Sequence, residues 1–183
     1  MDSIKAIAAA TLICLSAFGQ AITPEERSTT LKELDRTRTL MLAAIASVSE
    51  AQAQKKPAPD RWSVLECVEH LALTERGIFA AMQANLKAPE ASEAERAKTK
   101  GKATAPVEVA PREEFKTLAA ARAAFEAARK ATIDFVAITN LPLHSHVTKH
   151  FAFGELDVYQ WFVLMAGHVE RHTKQINEVK ATF

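Results

Sequence analysis

Apolar side chains recur at helical spacing in four separate stretches of the chain. The first stretch begins after Thr23, which forms a capping box with Glu26, and its apolar residues repeat every three or four positions to about Gln54. The second begins after Ser63, which forms a capping box with Glu66, and ends at the charged segment that follows. Both stretches predict amphipathic helices that bury one face.

The second half of the chain predicts two more helices, which a long polar segment separates from the first pair. Residues 87–111 hold three prolines and many charged side chains without apolar periodicity, which indicates a solvated connection. Apolar residues then recur over about residues 112–138 and again over about residues 156–179. Residues 139–155 are expected to form a second irregular connection, and no segment is rich in β-forming residues.

Four amphipathic helices of similar length predict an all-α protein built as a four-helix bundle. The short spacing between helices 1 and 2 predicts that these two are antiparallel neighbours. The connection of roughly 25 residues between helices 2 and 3 is long enough to cross the full length of the bundle. We therefore expect an up-down-down-up topology, in a single domain over residues 22–183.

The first residues predict an export signal over residues 1–19. Lys5 precedes a short apolar run, and the small residues that follow suit cleavage after Gly19 or Ala21. The run is shorter than the roughly 20 residues that a membrane-spanning helix needs. We therefore expect a periplasmic or secreted protein without stable membrane insertion after cleavage. An uncleaved anchor or a buried first helix is the alternative.

Composition narrows the classes of function and the sources of stability. The formal net charge of +1 gives no sign of the basic face that nucleic acid requires, so nucleic acid is not an expected partner. Removal of the signal would remove Cys14 and leave Cys67 without a cysteine to pair with in the chain. Packing must then provide the stability, and Cys67 is expected to be a small core residue.

Two histidines in the last predicted helix share its apolar face. On a helical wheel, His168 and His172 lie in the stripe that includes Ile176, whereas Glu170 lies on the opposite side. Histidines four residues apart on a helix can converge on one metal ion, although two hydrogen-bonded core histidines are the alternative. The zinc-protease motif is excluded because Val169 stands where that motif has glutamate.

A third ligand would have to come from another helix, and His70 is the candidate. It lies at the edge of the apolar face of helix 2, and the core of a bundle is a common place for a metal held by facing helices. Three neutral imidazoles would leave coordination positions open, as in catalytic rather than structural sites. Imidazole ligands suit a divalent ion such as zinc, nickel or iron, and the sequence does not choose between them.

Other polar residues near these histidines are candidates for supporting roles. Glu66 precedes His70 by about one turn and could orient it, although the capping box already explains this carboxylate. Gln175 shares the stripe of the C-terminal histidines and could line the pocket, and His150 could lie at the rim of the pocket. His144 and His146 are expected to be solvated loop residues.

The two histidine segments together resemble the DinB-like superfamily, also called DinB/YfiT-like. "WSVLECVEHLALTE" contributes Trp62, Glu66 and His70 to the resemblance. "HFAFGELDVYQWFVLMAGHVERHTKQI" contributes the remaining matches, which are His150, Phe153, Gly154, Leu156, Trp161, His168, Arg171, His172, Gln175 and Ile176. The order and spacing of these residues fit over most of the mature chain.

The resemblance implies both a fold and a chemistry. The family fold is an up-down-down-up four-helix bundle, and one histidine from its second helix and two from its fourth bind a divalent metal. Carried over, these ligands are His70, His168 and His172. Relatives include thiol S-transferases that use bacillithiol and a mycothiol-dependent maleylpyruvate isomerase, in which the metal activates a thiol.

We therefore expect a metal-dependent transferase or hydrolase that activates a water or thiol and acts on a small-molecule substrate or thiol. The alternative is a non-enzymatic exported bundle that binds a metal or a small ligand. No general base can be assigned, because no carboxylate clearly shares the face of the histidines on helix 4. A homodimer is one expected assembly.

Overall fold

The computed structural model describes residues 21–99, 112–150 and 152–183. The predicted export signal, residues 1–19, lies outside the described residues, so export stays a prediction. The far part of the long connection, residues 100–111, also lies outside them. Over the described ranges, no helix combines the length and the apolar character needed to cross a bilayer.

Four long helices and two short ones make up most of the described chain. In chain order they are α1 (Pro24–Ile45), α2 (Glu50–Ala53), α3 (Val64–Asn85), α4 (Glu93–Ala97), α5 (Leu118–Ile138) and α6 (Val158–Lys180). The capping boxes predicted at Thr23 and Ser63 are both present. The all-α four-helix bundle is confirmed, with α1, α3, α5 and α6 as its four helices.

The first helix is shorter than the apolar pattern predicts. It ends at Ile45 rather than near Gln54, and a separate short helix follows. Ser49 starts that helix with its own capping box, in which the side chain of Gln52 accepts a hydrogen bond from the Ser49 amide at 3.0 Å. A strong start signal inside a periodic stretch therefore divides the helix into two.

The third long helix begins later than predicted, at Leu118 instead of about residue 112. The backbone amides of Arg112 and Phe115 donate hydrogen bonds to the carboxylate of Glu69 on α3, at 2.7 and 3.3 Å. Glu113 lies between them with a φ of 56°, in the left-handed region. Hydrogen bonds to a buried carboxylate thus replace helical ones in this segment.

The second connection is not irregular throughout, as the pattern predicted, but contains a β-hairpin. Its antiparallel strands are β1 (Val147–His150) and β2 (Gly154–Asp157). Gly154 has a φ of 73°, which glycine adopts without a steric penalty as the chain enters β2. Asp157 then caps α6, so this helix begins at Val158 rather than at about residue 156.

Contacts along α1 give the direction of two other helices. Arg36 pairs with Glu170 at 2.5 Å, and Lys180, further along α6, donates to the carbonyl of Ala44, further along α1. The two helices therefore run parallel. Arg27, near the start of α1, donates to carbonyl groups at the end of α5, so these two helices are antiparallel.

The remaining pairs complete the up-down-down-up topology. Helices α3 and α5 are parallel neighbours, since Leu71 packs in the same cluster as Phe125 and Met82 in the same cluster as Val136. Helices α3 and α6 are antiparallel, since His70 meets His168 and Met82 packs in the same cluster as Phe162. α1 packs mainly on α5 and α6. The prediction that the first two long helices are antiparallel is correct, but they are not close neighbours.

A buried ion pair lies between the two apolar clusters that fill the ends of the bundle. Arg129 of α5 and Glu75 of α3 are joined by two hydrogen bonds of 2.7 Å, and both side chains are essentially inaccessible to solvent. The same guanidinium donates to the Leu34 carbonyl and the Thr37 hydroxyl of α1, and to the Met165 carbonyl of α6. One side chain thus bonds to three other helices.

Candidate metal centre

The first turns of α3 carry His70 into the core of the bundle. The hydroxyl of Ser63 accepts a hydrogen bond from the amide of Glu66, and the Glu66 carboxylate accepts one from the Ser63 amide at 2.7 Å. This reciprocal cap fixes where the helix begins and hence which residues face inward. His70 is 2% exposed, and its neighbours Cys67 and Leu71 are also buried.

His168 and His172 approach His70 from the antiparallel helix α6. They lie one turn apart and are buried, as is Ile176 on the same stripe, whereas Lys174 is exposed. The predicted orientation of this helix is therefore confirmed. The same stripe that buries apolar side chains brings both imidazoles to the interface with α3.

The three imidazoles form a compact cluster. Nε2 of His70 lies 3.0 Å from Nε2 of His168, and one potential ligand atom from each of the three rings lies within 4.8 Å of the other two. Ligand nitrogens of a tetrahedral zinc site are about 3.4 Å apart, as Zn–N distances of about 2.1 Å require. The spacing observed in His70, His168 and His172 therefore fits a single ion.

Hydrogen bonds assign the tautomer of His172. Its Nδ1 lies 2.8 Å from Oε1 of Gln175, and because an amide oxygen can only accept, Nδ1 carries the proton. Nε2 accepts a hydrogen bond of 2.7 Å from the guanidinium of Arg171 and so presents its lone pair. Orientation of an imidazole through its second nitrogen is typical of metal-binding histidines.

Trp62 covers one side of the cluster. Its ring stacks on His172 with 5.7 Å between ring centroids and 8° between ring planes, and it lies 5.0 Å from the His70 ring at a steeper angle. The indole therefore limits the access of water to both imidazoles from this side. Because Trp62 immediately precedes the cap of α3, the helix start places it.

Burial keeps two of the imidazoles neutral. It lowers the pKa of His168 to about 2, with further lowering from the neighbouring His172 and His70, and it lowers the pKa of His172 to about 3. The charge of Arg171 acts in the same direction on both. Neutral imidazole is the form that binds metal, so no proton has to leave His168 or His172 for binding near neutral pH.

Of the three predicted supporting residues, Gln175 contacts the cluster, whereas Glu66 and His150 have other partners. Gln175 contacts His172, as described above. The carboxylate of Glu66 instead binds the Ser63 amide and Lys56, the latter at 2.7 Å. His150 is buried, its Nδ1 accepts the Ala152 and Phe153 amides, and burial lowers its pKa, so it holds the hairpin turn.

Three expectations for other residues have different outcomes. Cys67 is a fully buried core residue, as predicted, and among the described residues neither it nor His150 belongs to the group of converging ligand atoms. The expectation that His144 and His146 are solvated loop residues is wrong. His146 is buried, and His144 is half-buried against Asp157, the cap of α6.

Two cavities flank the cluster. One, of about 340 Å³, is lined by His70, Leu73, Thr74, Arg76, Gly77, Ile78 and Arg112. The other, of about 490 Å³, is lined by Asp60, Arg61, Trp62, Arg171, Lys174, Gln175 and Glu178. The sequence pattern did not indicate that Arg112 lines a cavity beside His70 or that the Glu69 carboxylate binds the Arg112 amide. A charged residue beside the apolar stripe of helix 2 was the available signal for Glu69.

The family model of the DinB superfamily matches residues 33–176 of the chain. The uncharacterized protein YuaE of Bacillus subtilis strain 168 is 22% identical over 142 residues, which cover 74% of this chain and 88% of that protein. The range that the family model matches includes all three clustered histidines, His70, His168 and His172.

Two solved structures share the fold. YfiT from Bacillus subtilis, described as a probable metal-dependent hydrolase with an unusual four-helix bundle topology, superposes with a TM-score of 0.62 at 13% identity, over 88% of this chain and 89% of YfiT. The four-helix bundle protein TT2238 superposes with a TM-score of 0.58 at 21% identity, over 83% of this chain and 98% of that one.

Proposed function

Because this chain belongs to the DinB superfamily, we propose that His70, His168 and His172 together bind one divalent metal ion. The observation that carries the proposal is the convergence of three buried imidazoles, each with one potential ligand atom within 4.8 Å of the others. Imidazole donors suit zinc, nickel or iron. Three protein ligands also leave a coordination position for another molecule, as in catalytic sites.

The activity that this centre supports best is hydrolysis or group transfer on a small molecule. A bound divalent ion acts as a Lewis acid that lowers the pKa of a water or thiol ligand. YfiT is described as a probable metal-dependent hydrolase, and the shared fold supports metal dependence for this chain. The cavity of about 340 Å³ beside His70 gives a small substrate access to the cluster.

The surrounding side chains have separate tasks in this proposal. Gln175 holds the proton of His172 on Nδ1 and thereby leaves the Nε2 lone pair as the one that can bind a metal. Trp62 covers two of the rings from one side. Arg171 donates to the same Nε2 lone pair, so its guanidinium must leave that nitrogen when a metal binds there.

Metal stoichiometry tests the site directly. Protein purified from its native host should contain one equivalent of a divalent metal, and His70→Ala, His168→Ala and His172→Ala should each lose most of it. His144→Ala is the matched control, because His144 lies outside the cluster and should leave the metal content unchanged. A variant of the cluster that retains a full equivalent would show that its residue is not a ligand.

Turnover separates an enzyme from a binding protein. The metal-loaded protein should hydrolyse an ester or amide, or transfer a thiol to an electrophile, and removal of the metal by a chelator should abolish that turnover. A protein that keeps its metal but shows no metal-dependent turnover over such a panel would instead be a metal or small-ligand carrier.

A further inference from the structure

The cavity beside His70 reaches the centre from the side of α3. His70 is both one of its lining residues and a member of the three-histidine cluster, so a molecule in the cavity can contact the centre. Leu73 and Ile78 contribute apolar surface to the same lining. A ligand that fits here needs a reactive end near His70 and a short apolar part.

The charged residues of this lining are all of one sign. They are Arg76 and Arg112, and no carboxylate accompanies them among the described residues of the lining. The guanidinium of Arg76 is bonded to Glu114 at 3.1 Å. The side chain of Arg112 is exposed and forms no ion pair with any residue in the described ranges. Arg112 therefore offers a planar fork of donors toward an incoming anion.

The second cavity does not share this character. It lies beside Trp62, and its lining combines basic residues with Asp60 and Glu178. Arg61 is 3.7 Å from Glu178, so part of its positive charge is offset. Recognition of an anion is therefore expected in the cavity beside His70 rather than in the one beside Trp62.

The position of Arg112 is held by a buried carboxylate. Glu69 is 1% exposed and accepts hydrogen bonds from the backbone amides of Arg112 and Phe115. Glu113 between them adopts a left-handed conformation, which is unfavourable for a non-glycine residue and persists when its surroundings enforce it. Glu69 directly precedes His70, so the same turn of α3 positions both the histidine of the cluster and the carboxylate that holds Arg112.

We propose that the substrate of this centre is a small acid, whose carboxylate binds the Arg112 guanidinium while its apolar part lies against Leu73 and Ile78. This inference rests on the proposed metal site, since the reactive end of the acid would lie at the three histidines. A bidentate arginine–carboxylate contact provides both affinity and orientation. Arg112 is thus a binding residue, and Glu69 is the residue that positions it.

The test uses the full-length protein loaded with cobalt(II) and two thiols of similar size, mercaptopropionate and the neutral mercaptopropanol. Binding of either thiol is followed by the thiolate-to-cobalt absorption band, which reports a dissociation constant without any turnover. The wild type should bind mercaptopropionate about tenfold more tightly than mercaptopropanol, as one charge-assisted contact predicts. Arg112→Gln should lose that preference, and Arg61→Gln, in the other cavity, should keep it.

Each outcome bears on one of the two proposals. Equal binding of both thiols by the wild type, or an undiminished preference in Arg112→Gln, would overturn the assignment of the cavity while leaving the metal site intact. Loss of the preference in Arg61→Gln alone would indicate that the other cavity recognises the anion. That result would also overturn the assignment of the cavity beside His70. Failure of the three histidines to hold cobalt at all would refute the metal site, and this inference with it.

Discussion

At the scale of single residues, the chemistry of His172 is set by its immediate neighbours. Gln175 fixes the proton on Nδ1, and burial lowers the pKa to about 3, so the Nε2 lone pair stays unprotonated near neutral pH. Trp62 stacks on the ring and restrains its rotation. An imidazole held in one tautomer and one orientation loses less entropy on binding a metal than a free one.

Replacement of Gln175 by Met should therefore weaken metal binding by about 10- to 100-fold, because the proton on Nδ1 of His172 loses its acceptor. The affinity can be measured by competition with a coloured chelator. Gln175→Glu keeps an acceptor at the same place and should restore most of the affinity. Lys174→Met, at the exposed neighbouring position, is the control. Equal affinities for Gln175→Met and the wild type would exclude this orienting role.

Periodicity placed His168 and His172 on the buried stripe of the last helix and His70 at the edge of the stripe of another, and the family resemblance then joined the three in one site. Periodicity did not predict the buried charges. Arg129 lies within the apolar stripe of α5, where the pattern placed Ala128, and Glu69 lies beside the stripe of α3. Periodicity treats a charged residue as solvated, and only the partner residue on another helix shows that its burial is compensated.

At the scale of elements, the segment between α5 and β1 links the starts of α1 and α6 through His144. Nδ1 of His144 lies 3.0 Å from the carboxylate of Asp157, the cap of α6, and Nε2 lies 3.3 Å from Glu26 near the start of α1. Tyr159 packs against the same ring. The hydrogen bond to Asp157 is the main cause that raises the pKa of His144 above its usual 6.5, and the charge of Glu26 adds to it.

This raised pKa predicts a dependence of stability on pH. The folded protein binds the His144 proton more tightly than the unfolded chain, so the contribution is complete below about pH 6.5 and is lost as pH rises through the folded pKa. His144 is about one-third exposed, so we expect less than about 1 kcal/mol. Urea unfolding of the wild type and His144→Gln measures this contribution over about pH 5 to 9, the range in which a histidine with a raised pKa titrates. A difference in unfolding free energy that stays constant over this range would contradict the assignment.

Capping signals and strand signals differ in how well they predict these elements. The boxes at Thr23 and Ser63 gave correct helix starts, and the same pattern at Ser49 marks the short helix that periodicity concealed. The hairpin strands are four residues long, and their alternation is too short to distinguish from an irregular loop. Their pairing depends on packing against α6, which the local sequence does not encode.

At the scale of the whole molecule, connection length predicted the topology. Parallel neighbours such as α3 and α5 require a connection that crosses the length of the bundle, and the segment between them is long enough. Connection length did not predict which helices pack together. The first two long helices are joined by a shorter segment that contains the short helix α2, but α1 packs mainly on α5 and α6.

The buried Arg129–Glu75 pair joins all four long helices, and its removal tests how much stability depends on it. Arg129→Met leaves Glu75 buried without its arginine and removes the hydrogen bonds that the guanidinium donates to the Leu34 and Met165 carbonyls, so we expect a loss of about 3–5 kcal/mol in unfolding free energy. Urea unfolding followed by helical circular dichroism provides the measurement.

Two further variants separate the cost of an unpaired charge from the value of the pair. The double variant Arg129→Met, Glu75→Leu replaces both charges by apolar groups and should be more stable than Arg129→Met alone, because neither member of the pair is left as an unpaired buried charge. Arg122→Met breaks the exposed pair with Glu126 on the same helix and should cost less than about 1 kcal/mol. If Arg129→Met cost no more than Arg122→Met, the pair would not be a structural junction. If the double variant were as unstable as the single one, the loss would instead come from the hydrogen bonds that Arg129 donates to acceptors on α1 and α6, which both variants lack.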